Sequence, residues 1–308
     1  MFRLAHLSDI HLGPLPDVRY RDLASKRITG YVNWHRNRRR HLGEDTLSRV
    51  CADIETHAPD HIALTGDLVN LALDTEIETA TRWLEGFGSG HDVSVVPGNH
   101  DAYVPGALDK ACRAWSPWMT GDGANAPAAS KAFPYMRVRD QVALIGVSSA
   151  RASAPFLATG YFRKKQARRL SAMLEEAGER GLYRVVMIHH PPLRHATPSH
   201  KRLYGISLFQ KTVLKAGAEL VLHGHTHLPT LGWICGKGKA IPVAGVQAGG
   251  QGPGGRKPPA GWNLFEISGE AGNWHTRLIR RAIEGAAIGM CTLSSEELAA
   301  PVTSKSRD

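Results

Sequence analysis

The chain has 308 residues, 42% hydrophobic and 21% charged, which is a globular composition long enough to bury a sizeable core in one large domain or two small ones. No run of about 18 apolar residues exists, so a spanning helix is not expected. Four cysteines (Cys51, Cys112, Cys235, Cys291) without a CxxC pair argue against a disulfide framework or a thiolate zinc site, and a net charge of +10 attracts polyanions such as nucleic acid, phosphate esters or anionic lipid.

In chain order, the first element is FRLAHLS, residues 2–8, a strand followed at once by Asp9 and His11. Nothing before it resembles a charged leader with an apolar stretch and a cleavage site, which points to the cytoplasm. Residues 19–42 form a basic insertion with Lys26, Arg27, Arg36, Arg38, Arg39 and Arg40. A helix there lines up Ala24, Ile28, Tyr31 and His35, with Gly30 weakening it by roughly 1 kcal/mol. Such a segment suits an anionic membrane surface or an anionic substrate, and it equally suits a solvated face. A helix over 44–57 puts Leu47, Val50, Cys51 and Ile54 on one face, and HIALT (61–65) is a strand ending in Gly66-Asp67. Next come a helix over 74–87 and the strand DVSVV (92–96), ending in Gly98-Asn99-His100-Asp101.

Residues 120–130 are a small-residue loop, and 133–138 and 141–147 are strands. A charged helix over 163–180 leads to the strand YRVVMI (183–188) and His189-His190. A shorter helix over 206–216 leads to AELVL (218–222), followed by His223, His225 and His227. Strands over 231–234, 240–246, 262–267 and 273–280 have no helices between them, so the sheet is mixed rather than all parallel. A Gly/Pro loop occupies 248–261, and after about residue 283 periodicity fades into what reads as a loosely held tail to residue 308.

Five apolar strands thus each end in a polar block. Sites in α/β sheets gather beyond the carboxyl ends of strands, so the five can converge. Imidazole nitrogen with carboxylate and amide oxygen suits manganese, iron or zinc. Asp67, alone between two histidine-rich clusters, is the natural bridging carboxylate. Singly, each block is weak evidence; together and in order they are not easily explained as turns.

SDIH, GD, GNHD, HHPP and GHTH, spread over residues 8–227, resemble the signature blocks of the calcineurin-like metallophosphoesterase superfamily. The resemblance implies an α/β fold, a four-layer αββα sandwich with two divalent metals between the sheets, within a catalytic domain spanning 1–282. Carried over by position, it implies that Asp9, His11, Asp67 and His227 hold one ion. It implies that Asp67 also bridges to a second, completed by Asn99, His189 and His225. His100 is then the catalytic histidine that is not a ligand, oriented by Asp101. His190 and His223 stand beside ligands, with either a supporting or a packing role.

Ser/Thr protein phosphatases of this superfamily carry arginine after the GD block; GDLVNLALD has none. The block spacing, the segment ATGYFRKKQARRLSAML and HHPP look similar to the bacterial cyclic-nucleotide phosphodiesterase branch. The leading expectation is hydrolysis of an anionic phosphodiester, a cyclic nucleotide or a related small molecule. Two readings stand beside it. One is a pyrophosphohydrolase acting on a UDP-sugar lipid at the inner face of the membrane, although those enzymes carry arginine where this chain has His100. The other is a recombination-associated nuclease, less favoured because no DNA-binding domain follows the core. A binding module that keeps the fold without the metals is disfavoured by the intact blocks.

Overall fold

The computed structural model describes residues 1–16, 18, 23, 25–34, 44–124, 128–236, 239–284 and 289–299. The chain begins β1 (Phe2–Leu7), α1 (Arg27–Asn33), α2 (Glu44–Thr56), β2 (His61–Leu64), α3 (Asp74–Phe87) and β3 (Val93–Val95). It continues α4 (Ala107–Ala114), α5 (Ser116–Met119), β4 (Tyr135–Arg139), β5 (Val142–Gly146), β6 (Gly160–Tyr161), α6 (Lys164–Glu179), β7 (Tyr183–Met187) and β8 (Leu203–Tyr204). It closes α7 (Ile206–Ala216), β9 (Leu220–His223), β10 (Leu231–Gly236), β11 (Lys239–Gly245), β12 (Gly261–Glu270), β13 (Asn273–Glu284) and β14 (Gly289–Glu297).

Two six-stranded mixed sheets result, ordered β14-β13-β12-β1-β2-β3 and β10-β11-β9-β7-β5-β4. In the first, β1, β2 and β3 run parallel, because α2 and α3 return the chain to the same edge between strands. In the second, β5, β7, β9 and β11 run parallel, with α6 and α7 as crossovers for β7 and β9. The hairpins place antiparallel strands at the flanks. The nearly continuous apolar runs of β2, β5, β7 and β9 match their burial on both faces.

One apolar cluster joins inward residues of both sheets, such as Leu4, Leu144, Val185 and Phe265, through the first sheet's outer face (Leu7, Leu64) to α2, α3 and α4. A second packs Leu170, Leu174, Phe209 and Val213 of α6 and α7 on the outer face of the second sheet. Helices, sheet, sheet and helices make the expected four layers. Polar ties cross between the sheets: Tyr183 Oη lies 2.7 Å from Thr276 Oγ1, and Tyr135 Oη donates to the Val95 carbonyl at 2.8 Å.

The structure corrects two readings of the sequence. Residues 289–297, read as part of a loose tail, form strand β14, paired with β13 along its length around a bulge at Arg280/Arg281. Its side chains are mostly half-exposed or exposed, so pairing rather than burial holds it, and the apolar pattern carries little trace of it. Arg27, assigned to a basic outer surface, turns inward instead; its guanidinium donates to the carbonyls of Leu71 and Ala72. Of the 19–42 insertion, α1 is helical as expected, while Arg36 and Arg38 to Arg40 lie outside the described residues, as do 300–308. Gly30 has a reason to be there: a Cβ on it would sit 2.5 Å from Leu71, so glycine lets α1 press against this loop.

Candidate metal centre

The five polar blocks stand at the carboxyl ends of β1, β2 and the edge strand β3 in one sheet and of the central strands β7 and β9 in the other. Main-chain bonds lock the ends together. Asp9 N–H donates to the Gly66 carbonyl at 2.9 Å, His11 N–H to the Asp67 carbonyl at 3.0 Å, and Gly224 N–H to the His189 carbonyl at 3.1 Å. Asp9, His11, Asp67, His225 and His227 all have positive φ, between 44° and 67°. Left-handed backbone at side chains other than glycine is strained by about 1 kcal/mol or more each, and it clusters where function requires it. Here it turns each side chain off the strand direction into the gap between the sheets. Gly98 and Gly224 make the approach possible: a Cβ at Gly98 would overlap Asp67 Oδ1, and one at Gly224 would overlap Ser8 Oγ.

The histidines are oriented from behind. His11 Nδ1 donates to the Val69 carbonyl (3.1 Å) and His189 Nδ1 to the Thr65 carbonyl (2.7 Å). A carbonyl accepts only, so Nδ1 carries the proton and the neutral ring keeps its lone pair on Nε2. Those Nε2 atoms face the carboxylates. His11 Nε2 is 3.9 Å from both Asp9 Oδ1 and Asp67 Oδ2, His189 Nε2 is 3.3 Å from Asp67 Oδ2 and from Asn99 Oδ1, and His227 Nε2 is 3.1 Å from Asp9 Oδ1. In His225 the arrangement is reversed: Nε2 donates to the Lys201 carbonyl at 3.0 Å, leaving Nδ1 as the lone-pair nitrogen.

Ligand atoms of Asp9, His11 and His227 lie within 4.8 Å of one another, as do those of Asp9, Asp67 and His189. Asp67 also groups with His11 and His100, so it neighbours His11 on one side and His189 on the other, and Asp9 likewise belongs to two groups. His225 groups with His189 and His190. His190 has both nitrogens engaged, with Ser149 Oγ at 2.8 Å from Nδ1 and the Ala158 carbonyl at 3.2 Å from Nε2, which leaves His189 as the ligand-like member of the pair. Asp9 Oδ1 is fully buried and accepts no hydrogen bond of acceptable geometry among the described residues, although His227 Nε2 is close by. Such an atom aimed at a shared centre, in a set of imidazoles, carboxylates and an amide oxygen, fits a pair of divalent ions.

The electrostatics agree. Burial opposes ionisation of Asp67, but His189 and His100 hold its carboxyl well below the usual range. Burial likewise opposes charge on His189, yet Asp67 and Asp9 raise it to about 9. Without ions, protons on imidazoles are the cations this anionic cage draws in.

His100 stands beside this cage. Its ring is within 4.8 Å of the ligand atoms of His11 and Asp67, stacks on Tyr103 at 5.4 Å, and donates from Nδ1 to the Asn70 carbonyl at 2.6 Å. Asp101 does not orient it. The Asp101 carboxylate points the other way and accepts main-chain N–H bonds from Gly98, Asp67, Leu68 and Val69 at 2.7 to 3.3 Å. Burial, then the charge of Asp67, push Asp101 up to about 7, and those amides pull against the rise. Four amides need an acceptor where β2 and β3 end, and that demand captured the side chain.

A cleft of about 400 Å³ opens onto Asn99 and His100. Lys26 lines it, its ammonium donating to Ser153 Oγ and the Leu157 carbonyl (both 2.8 Å) and lying 4.7 Å from the Tyr103 ring centre. Sequence reasoning missed Asn70 and Tyr103 as site residues and placed Lys26 only in a basic segment suited to an anionic substrate, a membrane surface or solvent. Asn70 acts through its main chain, which leaves no signature, and only the position of α1 brings Lys26 here.

The family model for calcineurin-like phosphoesterases matches residues 2–229. No curated protein matches at the sequence level. The chain is similar in structure to a dimetal phosphatase from Danio rerio (TM-score 0.58, 12% identity, covering 95% of this chain and 98% of that one). It is also similar to a purple acid phosphatase from yellow lupin (Lupinus luteus) seeds (TM-score 0.55, 12% identity, covering 96% of this chain and 53% of that one). At such identities the likeness concerns the fold.

Proposed function

We propose, from the premise that this chain belongs to the calcineurin-like phosphoesterase family, that it is a metal-dependent hydrolase of phosphodiesters, with cyclic nucleotides and related small diesters as its substrates. The observation that carries this reading is the meeting of His100 with two carboxylates, an amide and three buried imidazoles at the mouth of a cleft. Asp9, His11, Asp67 and His227 would hold one ion, and Asp67, Asn99, His189 and His225 the other. Bound there, two divalent ions supply Lewis-acid polarisation of the phosphoryl oxygens and a water acidified to near neutrality.

The chain's own residues do the rest. With its Nδ1–H fixed on the Asn70 carbonyl, His100 in its protonated form donates from Nε2 to the phosphoryl group and then to the departing oxygen. Asn99 precedes it on the same turn, so ligand and proton donor move together. Among the described residues, the cleft lining holds Lys26 and Lys201 but no arginine. Apolar Leu71, Phe156 and Leu157 beside them offer contact to the ester's organic group. Manganese or iron matches the mixed imidazole and oxygen donor set, with zinc as the alternative.

The test is turnover of bis(p-nitrophenyl) phosphate against p-nitrophenyl phosphate by Mn²⁺-loaded protein. Preference for the diester is expected; preference for the monoester, or no turnover of either, overturns the reading. Val32 and Phe156, exposed by 42% and 82% in the cleft lining, favour a second reading, a lipid-linked pyrophosphate taken from an anionic membrane surface.

A further inference from the structure

Strands β6 and β8 form a small parallel sheet of their own, outside the two large ones. Its outward face carries two stacked tyrosines, Tyr161 and Tyr204, with ring centres 6.3 Å apart and planes 25° from parallel. Both are exposed, by 42% and 37%. Three guanidinium groups surround the pair: Arg163 at 5.3 Å from the Tyr161 ring, Arg202 at 4.5 Å from the Tyr204 ring, and Arg151 at 5.9 and 5.6 Å from the two. Among the described residues, none of the three forms an ion pair with a carboxylate.

The helices leaving this sheet add to the positive field. Helices α6 and α7 begin just after β6 and β8, and neither has a side-chain cap or an acidic residue in its first turn. Each presents the positive end of its dipole here, and α6 opens on Lys164 and Lys165 as well. Cations at a helix start are unfavourable unless something anionic shares the surface.

The same sheet is tied to the metal centre. Ala158 accepts from His190, Lys201 accepts from His225, and a Cβ on Gly160 would meet the His190 ring at 2.5 Å. Tyr161 follows Gly160 directly, and Tyr204 is its cross-strand partner, so the pair adjoins the metal centre. A strand of nucleotides could set one phosphate at the metals while a neighbouring base stacks on the pair.

We propose that Tyr161 and Tyr204, with Arg151, Arg163 and Arg202, are a stacking platform that binds single-stranded nucleic acid leading into the metal centre. This rests on the phosphodiesterase reading and takes single-stranded nucleic acid, in place of small diesters, as its substrate class. Aromatic faces stack any base and guanidinium groups take the flanking phosphates, so binding is strand-selective but tolerant of sequence.

The test is fluorescence anisotropy of a fluorescein-labelled dT10 oligonucleotide with the full-length protein in EDTA, where nothing is hydrolysed. Wild-type protein is expected to bind dT10 at least tenfold more tightly than dTMP or a 10-base-pair duplex. Y161L/Y204L should lose about 30-fold or more, given roughly 1–3 kcal/mol per stacked base. R163Q/R202Q, at exposed positions that spare the fold, should flatten the slope of log Kd against log salt by about 1.4, two phosphate contacts' worth. Circular dichroism melting checks that each variant is folded. Equal binding of dTMP or duplex, unchanged affinity in the folded variants, or no binding by the wild type overturns the proposal. Diester turnover by the Mn²⁺-loaded wild type is scored separately, so failure of the platform and failure of the phosphodiesterase reading give different results.

Discussion

His100 Nδ1 sits 2.6 Å from the main-chain oxygen of Asn70, and that oxygen is itself held in place by Glu76. The buried Glu76 carboxylate accepts from the N–H groups of Asn70, Leu71 and Leu73, bracing the loop that faces the His100 ring. The His100 ring is thereby oriented by a peptide group, while its main-chain N–H donates to Asp67 Oδ1 at 2.7 Å.

A proton donor that is not a ligand can be removed without emptying the cage. We expect H100A to keep two bound ions per chain, measured by inductively coupled plasma mass spectrometry, while kcat on bis(p-nitrophenyl) phosphate falls by about 10² to 10⁴. Loss of metal in H100A would show that its role was misassigned.

Asp101 is expected to behave differently. D101N leaves four clustered main-chain donors with one carbonyl oxygen and turns an amide NH₂ toward the others. Unsatisfied buried donors cost about 1–3 kcal/mol, so the variant should melt several degrees lower, whereas H100A should melt near wild type. Differential scanning fluorimetry on both separates the structural residue from the chemical one.

The close approach at Gly224 gives a third prediction. In G224A the new methyl group would overlap Ser8 Oγ and come 2.5 Å from Asp9 Oδ2, both on the β1 end. Asp9 is pushed out of register with His11 and His227. The chelator-stripped protein should melt close to the stripped wild type within about 2 kcal/mol, yet regain less of its stability on adding Mn²⁺, an effect read from the metal-dependent rise in melting temperature.

Lys26 has its pKa lowered to about 8 by burial, with Asp67 acting in the opposite direction. It is charged at pH 7 and loses that charge above pH 8. KM for an anionic diester should therefore rise between pH 7 and 9.5, with Lys26 supplying about tenfold, near 1.5 kcal/mol for a charged contact. K26M should have the raised KM already at pH 7 and a flatter profile; a profile parallel to wild type refutes the role.

His61, away from the metals, accounts for part of the acid lability. Burial first, then Arg139 and Arg137, lower its pKa to about 3, and its Nε2 lies 2.8 Å from Ser94 Oγ. Folded, it stays neutral; unfolded, it takes a proton near 6.5. The unfolded chain thus binds more protons between about 3 and 6.5, so its contribution is full above 6.5 and is lost as pH falls through that window, by about 1.4 kcal/mol per pH unit. Urea midpoints from pH 7 to 4.5 should fall less steeply in H61Q, by about one proton.

Strands that end in polar blocks were legible because burial on both faces makes them continuously apolar, so β1, β2, β3, β7 and β9 fall within a residue or two of their expected places. Helices α3 and α7 match because their apolar stripes run their full length. Helices α4 and α5 were missed: Ala107, Ala111 and Cys112 make a stripe of small residues, and α5 is a single turn that carries Pro117. In the site, side chains that converge on a charge could be named, since chemistry restricts their types. What could not be named were the orientations. Adjacency of Asp101 to His100 says nothing of which way either points, and the carbonyl of Asn70 looks like any other.

The cage draws Asp9, His11, Asp67 and Asn99 from one sheet and His189, His225 and His227 from the other. Cations bound there would rivet the two halves of the molecule along one rim, and stripping them would set carboxylates against each other at that same rim. Resistance to prying apart then depends on the supply of ions, and a chain starved of them should admit a protease first where the halves meet at the active face.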